Sequence, residues 1–142
     1  MKILIFGLPG SGKTTLAKPF ADLIGAVHIN ADAVRTQYEG PDMTKWDFSL
    51  EGRMQQAQRM RHLADGVVMA GKIAVADFVC PTEEARTQFA PNYTVWMDTI
   101  KEGRFEDTNK IFEKPEAVDH IIHTWRQDVH VTLAAIIRAR YE

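Results

Sequence analysis

Eight residues near the start constrain this chain more than any others: Gly7-Leu8-Pro9-Gly10-Ser11-Gly12-Lys13-Thr14. They satisfy G-x-x-x-x-G-K-[ST] at every fixed position. Glycines let successive backbone N–H groups turn toward one point and surround an anion there. A helix opening at Lys13 would aim its positive end at the same point. Lys13 then reaches the outer phosphates of a nucleotide, and the Thr14 hydroxyl can hold magnesium. Just upstream, Lys2 to Phe6 (KILIF) is a short apolar run that reads as a buried parallel strand. Strand, glycine loop and helix in that order make Gly7, Pro9, Gly10, Ser11, Gly12, Lys13, Thr14 and Thr15 the expected phosphate-binding residues. The motif specifies a nucleotide; it does not distinguish a kinase from a hydrolase or a switch.

The rest of the chain alternates between the same two patterns. A helix is expected from Lys13 to about Ile24, kinked by Pro19. Short strands are expected at 26–29, 73–76, 93–97 and 120–123. Between them, Leu50, Met54, Ala57, Met60, Ala64, Val67 and Val68 recur every three or four positions, which predicts an amphipathic helix from Ser49 to about Ala70. Thr82, followed by Glu83 and Glu84, reads as the cap and first turn of a helix to about Phe89. A last helix spans Gln127 to Arg140, and 101–116 reads as a polar stretch. Strands alternating with helices imply an α/β fold: a three-layer P-loop NTPase domain with a parallel sheet of four or five strands. At 142 residues, with no linker or internal repeat, the chain reads as one domain.

Charge and cysteine content narrow the function. Seventeen basic residues face nineteen acidic ones, so bulk charge gives no support to extended nucleic-acid binding. A single cysteine, Cys80, excludes an internal disulfide. The apolar run before Gly7 is too short for a signal-peptide core or a membrane span, so a cytoplasmic protein is expected.

Ligands of parallel sheets sit beyond the carboxyl ends of the strands. Asn30-Ala31-Asp32-Ala33-Val34-Arg35 follows the second strand, which puts Asp32 on the rim shared with the phosphate loop. A carboxylate there can take a proton from an acceptor hydroxyl or hold a magnesium-bound water, or it can simply cap its helix. Arg35, one turn on, can hold an anionic group or remain a solvated charge. Asp77 ends the third strand, where a carboxylate can reach magnesium through water or serve only as a strand-end polar residue. His120 and His123 lack the further ligands a metal site needs. Trp96 is expected in the core; for Trp46, near Phe48 in its loop, a place beside the acceptor is the less favoured of the readings left open.

The loop sequence with Asn-Ala-Asp-Ala-Val-Arg resembles adenylylsulfate kinase, an ATP-dependent enzyme that phosphorylates the ribose 3'-hydroxyl of adenosine 5'-phosphosulfate. The resemblance continues at Phe48-Ser49-Leu50-Glu51-Gly52-Arg53, at Phe78-Val79-Cys80-Pro81 with Arg86, and at Val95 to Thr99. It implies ATP and Mg2+ as cofactors and Asp32 as the catalytic carboxylate beside Lys13 and Arg35. It also implies Phe48, Arg35 and Arg53 on a small anionic acceptor, with Phe78, Val79, Cys80 and Pro81 lining its pocket. Members are often dimeric, so a homodimer is implied too. Gly52 stands where the family has aspartate, and the lid, about 101–116, is shortened. Arg104 and Lys110 are placed there to close on ATP, and Phe112 to replace a lid aromatic. Polynucleotide 5'-hydroxyl kinases share the Asn-x-Asp-x-x-Arg run and stay open as an alternative. Another small-molecule kinase or a non-catalytic nucleotide-binding module stays open as well.

Overall fold

The computed structural model describes residues 1–141. Elements follow in the order β1 (Lys2–Phe6), α1 (Lys13–Ile24), β2 (Val27–Asn30), α2 (Ala31–Glu39), a 3-10 turn (Met43–Lys45), α3 (Leu50–Met69), β3 (Ala74–Asp77), α4 (Glu83–Phe89), β4 (Tyr93–Met97), α5 (Glu106–Ile111), β5 (His120–Ile122) and α6 (Val129–Tyr141). The five strands form one parallel sheet in the order β2-β3-β1-β4-β5. No described helix is long and apolar enough to cross a membrane.

Side-chain alternation along β1 sorts the core into two layers. Ile3 and Ile5 pack with Leu16, Ala17 and Phe20 of α1 and Leu133, Ala134 and Ile137 of α6. Leu4 and Phe6 face the other way, onto Ala57, Met60 and Ala64 of α3 and Ala85 and Phe89 of α4. The register levels the strand ends: Ile5 and Asn30 both pair with Asp77, Phe6 with Trp96, and Met97 with Ile122. Each strand therefore delivers its last residues to one rim.

Several boundaries move from their expected places, each for a local reason. β2 ends at Asn30 because that residue both pairs with Asp77 and caps α2, accepting from the Ala33 N–H at 3.0 Å. Pairing likewise draws Asp77 into β3. α1 runs through Pro19; the carbonyl that Pro19 cannot serve belongs to Thr15, an exposed residue that water reaches. α6 begins at Val129, after a turn in which Asp128 accepts from the Val131 N–H at 3.0 Å. Within 101–116 lies a six-residue helix, α5, with Glu106 and Asp107 in its first turn. It is too short and polar to show a hydrophobic period.

The end of α5 is fastened by Arg86, which is 5% exposed. Its guanidinium lies between the Phe6 and Phe112 rings, 4.4 and 5.2 Å from their centroids. It donates to the carbonyls of Cys80, Pro81 and Glu113 at 3.0, 3.2 and 2.6 Å and to Glu83 at 2.6 Å. Replacing it by Ala strands three carbonyls and the packing between two rings. Arg86→Ala is expected to lose about 3–5 kcal/mol in denaturant unfolding, from carbonyls left without a donor and from the lost packing. A loss under about 1 kcal/mol would show that this clasp is not structural.

Candidate active site

The phosphate loop is built by close approaches that only glycine permits. A Cβ on Gly7 would stand 2.7 Å from the Met97 carbonyl oxygen. At Gly12, φ is +98° and the Trp125 ring covers the residue, 3.4 Å from where a Cβ would sit. Leu8 turns its carbonyl inward to accept from the Ser11 N–H at 3.1 Å and from Lys13 Nζ at 3.0 Å. Thr99 Oγ1 donates to the Ser11 carbonyl at 2.7 Å, tying the end of β4 to the loop. The Ser11 hydroxyl is buried and has no partner among the described residues. A buried polar atom without a partner marks a place shaped for a ligand's polar atoms. Burial lowers the Lys13 pKa to about 8, against the opposing pull of Asp77 and Asp32 and with the help of Arg104. Those charges gather around one amine, so Asp32 and Arg104 both act on the loop.

Asp77 is 2% exposed and holds the start of α1. Thr14 Oγ1 donates to its Oδ1 at 3.0 Å, and His28 Nε2 bonds its Oδ2. Asn30 Nδ2 lies 3.5 and 3.4 Å from the two oxygens and 3.3 Å from Thr14 Oγ1. The Thr14 hydroxyl donates to Asp77 and accepts from Asn30, which leaves its oxygen one further lone pair on an exposed residue. Hydroxyl and carboxylate oxygens suit a hard cation such as magnesium. Asp32 is exposed, and its carboxylate is not used as a cap, since Asn30 caps α2.

A second cluster forms around Phe48, which is 41% exposed. Arg35 and Arg53 approach its ring at 4.6 and 5.4 Å from the centroid. Arg35 is buried rather than solvated: its Nη1 donates to Glu39 at 2.7 Å and to the Asp47 carbonyl at 2.8 Å. Glu39 also receives Arg59 at 2.8 Å and the Asp47 N–H at 2.8 Å, which together hold its pKa below the usual range despite burial. Arg53 differs. It donates to the Phe48 carbonyl and to Thr108 Oγ1 of α5, both at 2.9 Å, and has no ion-pair partner among the described residues. Burial lowers its pKa, with Asp107 opposing and Arg35 adding. Arg53 lines a cavity of about 260 Å³ with Leu50, Met54, Pro81, Glu84 and Glu113.

Other expected site residues turn inward. Trp46 is buried, its indole N–H donating to the Gly40 carbonyl at 2.8 Å. Phe78 packs edge-on against Phe89, and Cys80 is buried with φ +45°, its thiol pKa pushed up by burial. Val79 is half-buried, and Pro81 alone of this run lines the cavity. Phe112 is spent on Arg86, while Phe105, at the start of α5, is 44% exposed beside Arg104. Lys110 is exposed, and its side chain takes part in no hydrogen bond or ion pair among the described residues.

The profile of the AAA domain family AAA_33 matches residues 3–94, which hold both the phosphate loop and Asp77. The chain belongs to that family. This AAA-domain chain has the fold of the P-loop kinases. It superposes on the Mycobacterium tuberculosis APS kinase solved with AMPPNP and APS at a TM-score of 0.81, with 16% identity over 99% of this chain and 97% of that one. For the shikimate kinase of Acinetobacter baumannii in complex with shikimate, the TM-score is 0.68, with 17% identity over 99% and 94%. Among curated relatives, the shikimate kinase of Actinobacillus pleuropneumoniae serotype 5b (strain L20) is 24% identical over 116 residues, 80% of this chain and 66% of that protein. The probable adenylyl-sulfate kinase of Aeropyrum pernix is 29% identical over 85 residues, 59% of this chain and 46% of that protein. The AAA-domain chain thus spans less than two thirds of the length of these curated relatives.

The depressed Lys13 pKa gives a stability signature. Below pH 8 the amine is charged in both folded and unfolded chains, and its burial costs stability. Between about 8 and 10.5 the folded chain has released the proton while the unfolded chain still holds it, so stability rises with pH across that window. Lys13→Met removes the titration. The variant is expected to be more stable than the wild type at pH 7, with an advantage that shrinks as pH rises from 8. Parallel pH profiles of the two proteins in urea unfolding would contradict the burial of this amine.

Proposed function

We propose that this chain is an ATP-dependent kinase that moves the γ-phosphoryl group to a hydroxyl of a small anionic acceptor, adenosine 5'-phosphosulfate. The observation that carries the reading is Arg53: a buried cation with no ion-pair partner among the described residues, on the wall of a cavity and hydrogen-bonded to Thr108 of α5. A buried charge without a partner is expensive, and an anionic ligand supplies the partner. Phe48 stands exposed against Arg53, and Phe105 stands exposed three residues ahead of Thr108, the α5 residue that Arg53 holds. An exposed aromatic ring beside an arginine suits a planar base attached to an anionic group. The solved APS kinase and the adenylyl-sulfate kinase relative support the same acceptor.

In this reading the loop amides, Ser11 and Lys13 hold the β- and γ-phosphates. Arg104 closes over them from the lid, and Lys110 adds charge at its outer side. Magnesium, when bound, neutralises charge on the transferring phosphates, and Thr14 and Asp77 would hold it. Asp32 orients the acceptor hydroxyl and takes its proton as the oxygen attacks phosphorus; the bond from phosphorus to the β-phosphate oxygen breaks and ADP leaves. Arg35, already balanced by Glu39, positions Phe48, while Arg53 binds the acceptor anion. The reaction belongs in the cytoplasm, where ATP is supplied.

A second acceptor has its own support. The cavity of about 260 Å³ is lined by one arginine and two carboxylates, groups that can bind the carboxylate and hydroxyls of a cyclic hydroxy acid, and shikimate kinases are among the relatives. ADP release measured with ATP, magnesium and either acceptor separates the two. Turnover with adenosine 5'-phosphosulfate and none with shikimate is expected; the reverse would move the protein to hydroxy-acid phosphorylation. Asp32→Ala should lower kcat by about 10²–10⁴ with ATP binding retained. Arg53→Met should raise the acceptor KM by roughly 10–150-fold, the value of a charged hydrogen bond. Unchanged kcat in the first variant, or unchanged KM in the second, would remove that residue from its role.

A further inference from the structure

Asp77 is nearly buried and has no lysine or arginine ion partner among the described residues, so its orientation depends on neutral donors and His28. Thr14 Oγ1 takes Oδ1 at 3.0 Å and His28 takes Oδ2, one close bond on each oxygen. Asn30 cannot replace either. Its Oδ1 is committed to the Ala33 N–H at 3.0 Å, which fixes its amide, and its Nδ2 straddles the carboxylate at 3.5 and 3.4 Å. Bonds of that length are weak. A carboxylate with one firm bond turns about its Cβ–Cγ axis; with one on each oxygen it does not.

The sheet register makes this arrangement possible. Asn30 pairs with Asp77 and His28 with Val75, so His28 stands two residues back on the same face and reaches diagonally to Asp77. Val75 on that face packs toward α1, whose first turn carries Thr14. Among the described residues His28 makes no hydrogen bond to the phosphate loop or to Thr14, yet it holds the carboxylate that draws on the Thr14 hydroxyl.

We propose that His28 is a positioning residue for the divalent-cation site: it locks the Asp77 carboxylate so that Oδ1 faces Thr14, and so sets how tightly the nucleotide's cation is held. The proposal rests on the kinase reading of the loop. Outer partners that orient a ligand of a metal site change metal affinity by about 10–100-fold when removed. A purely structural His28, joining the edge strand to β3, would change stability and leave the cation response alone.

The test is calorimetric titration of the full chain with the β,γ-imido analogue of ATP, in EDTA and across a magnesium series. Wild type should bind more tightly as magnesium rises. His28→Ala should need roughly tenfold more magnesium for the half-maximal effect, with affinity in EDTA unchanged. His28→Gln, which offers an amide N–H near the position of Nε2, should recover most of the response. If His28→Ala does not fold, His28→Asn, too short to reach Asp77, carries the same expectation. A wild-type magnesium response in His28→Ala or His28→Asn, with the response lost in Asp77→Ala, overturns the role of His28 and leaves the kinase reading standing. Equal losses in EDTA and in magnesium also overturn it, by making His28 structural. A wild type indifferent to magnesium overturns both.

Discussion

The site depends on a loop that is held from outside rather than by its own bonds. Between Gly7 and Lys13 the chain makes two hydrogen bonds with itself, both to the Leu8 carbonyl. Everything else that shapes it comes from the far half of the sequence: the Met97 carbonyl against Gly7, Thr99 on the Ser11 carbonyl, Trp125 over Gly12, and Gly103, where a Cβ would lie 3.1 Å from the Pro9 carbonyl. Glycines give the backbone freedom to converge its N–H groups, and that freedom is an entropic cost unless neighbours remove it. Here β4, the connection after it and the connection after β5 do so. A loop fixed in advance needs little reorganisation when charge arrives, which is the condition for electrostatic stabilisation of a transferring phosphoryl group.

From that loop the remaining geometry follows through the register. Because β1, β2 and β3 end level, Thr14, Asn30 and Asp77 meet at one point, and Asp32 begins the next helix beside them. The region around Phe48 is organised by charge. Glu39 gathers Arg35 and Arg59, while Arg53 has no ion-pair partner among the described residues. Arg53 in turn holds α5 through Thr108, and Arg86 holds the far end of the same segment through Phe112 and Glu113. The segment around α5 is thus fastened by Arg53 at one end and by Arg86 at the other.

The phosphate loop, the parallel sheet and the long α3 were legible in the sequence because each leaves a local pattern: fixed glycine spacing, short apolar runs, or a period near 3.6. The caps at Thr82 and the rim position of Asp32 were legible for the same reason. The partners of each side chain were not. Nothing local says that His28, an isolated histidine in an edge strand, meets Asp77, since the two come together only through the β2–β3 register. Arg35 and Arg53 read alike in sequence, yet one has a carboxylate partner and the other has none, because Glu39 lies one turn from Arg35 on α2. The sequence points to Phe112 as the lid aromatic and passes over Phe105, because burial cannot be read from a short polar stretch. Burial by Arg86 takes Phe112 and leaves Phe105 exposed. The absence of a side chain at residue 52 has a steric reason too: a Cβ there would lie 2.4 Å from the Asp47 carbonyl oxygen, in the turn that presents Phe48.

Burial lowers the Lys13 pKa to about 8, and in the proposed reading the amine takes up a proton when nucleotide phosphates bind against it. Calorimetry of ATP binding at pH 8.5, in buffers of different ionisation enthalpy, counts the protons exchanged. An uptake of up to about three quarters of a proton per ATP bound is expected, the fraction missing from an amine of that pKa. The uptake should disappear in Lys13→Met. Tight binding without proton uptake, or uptake that survives in the variant, would contradict it.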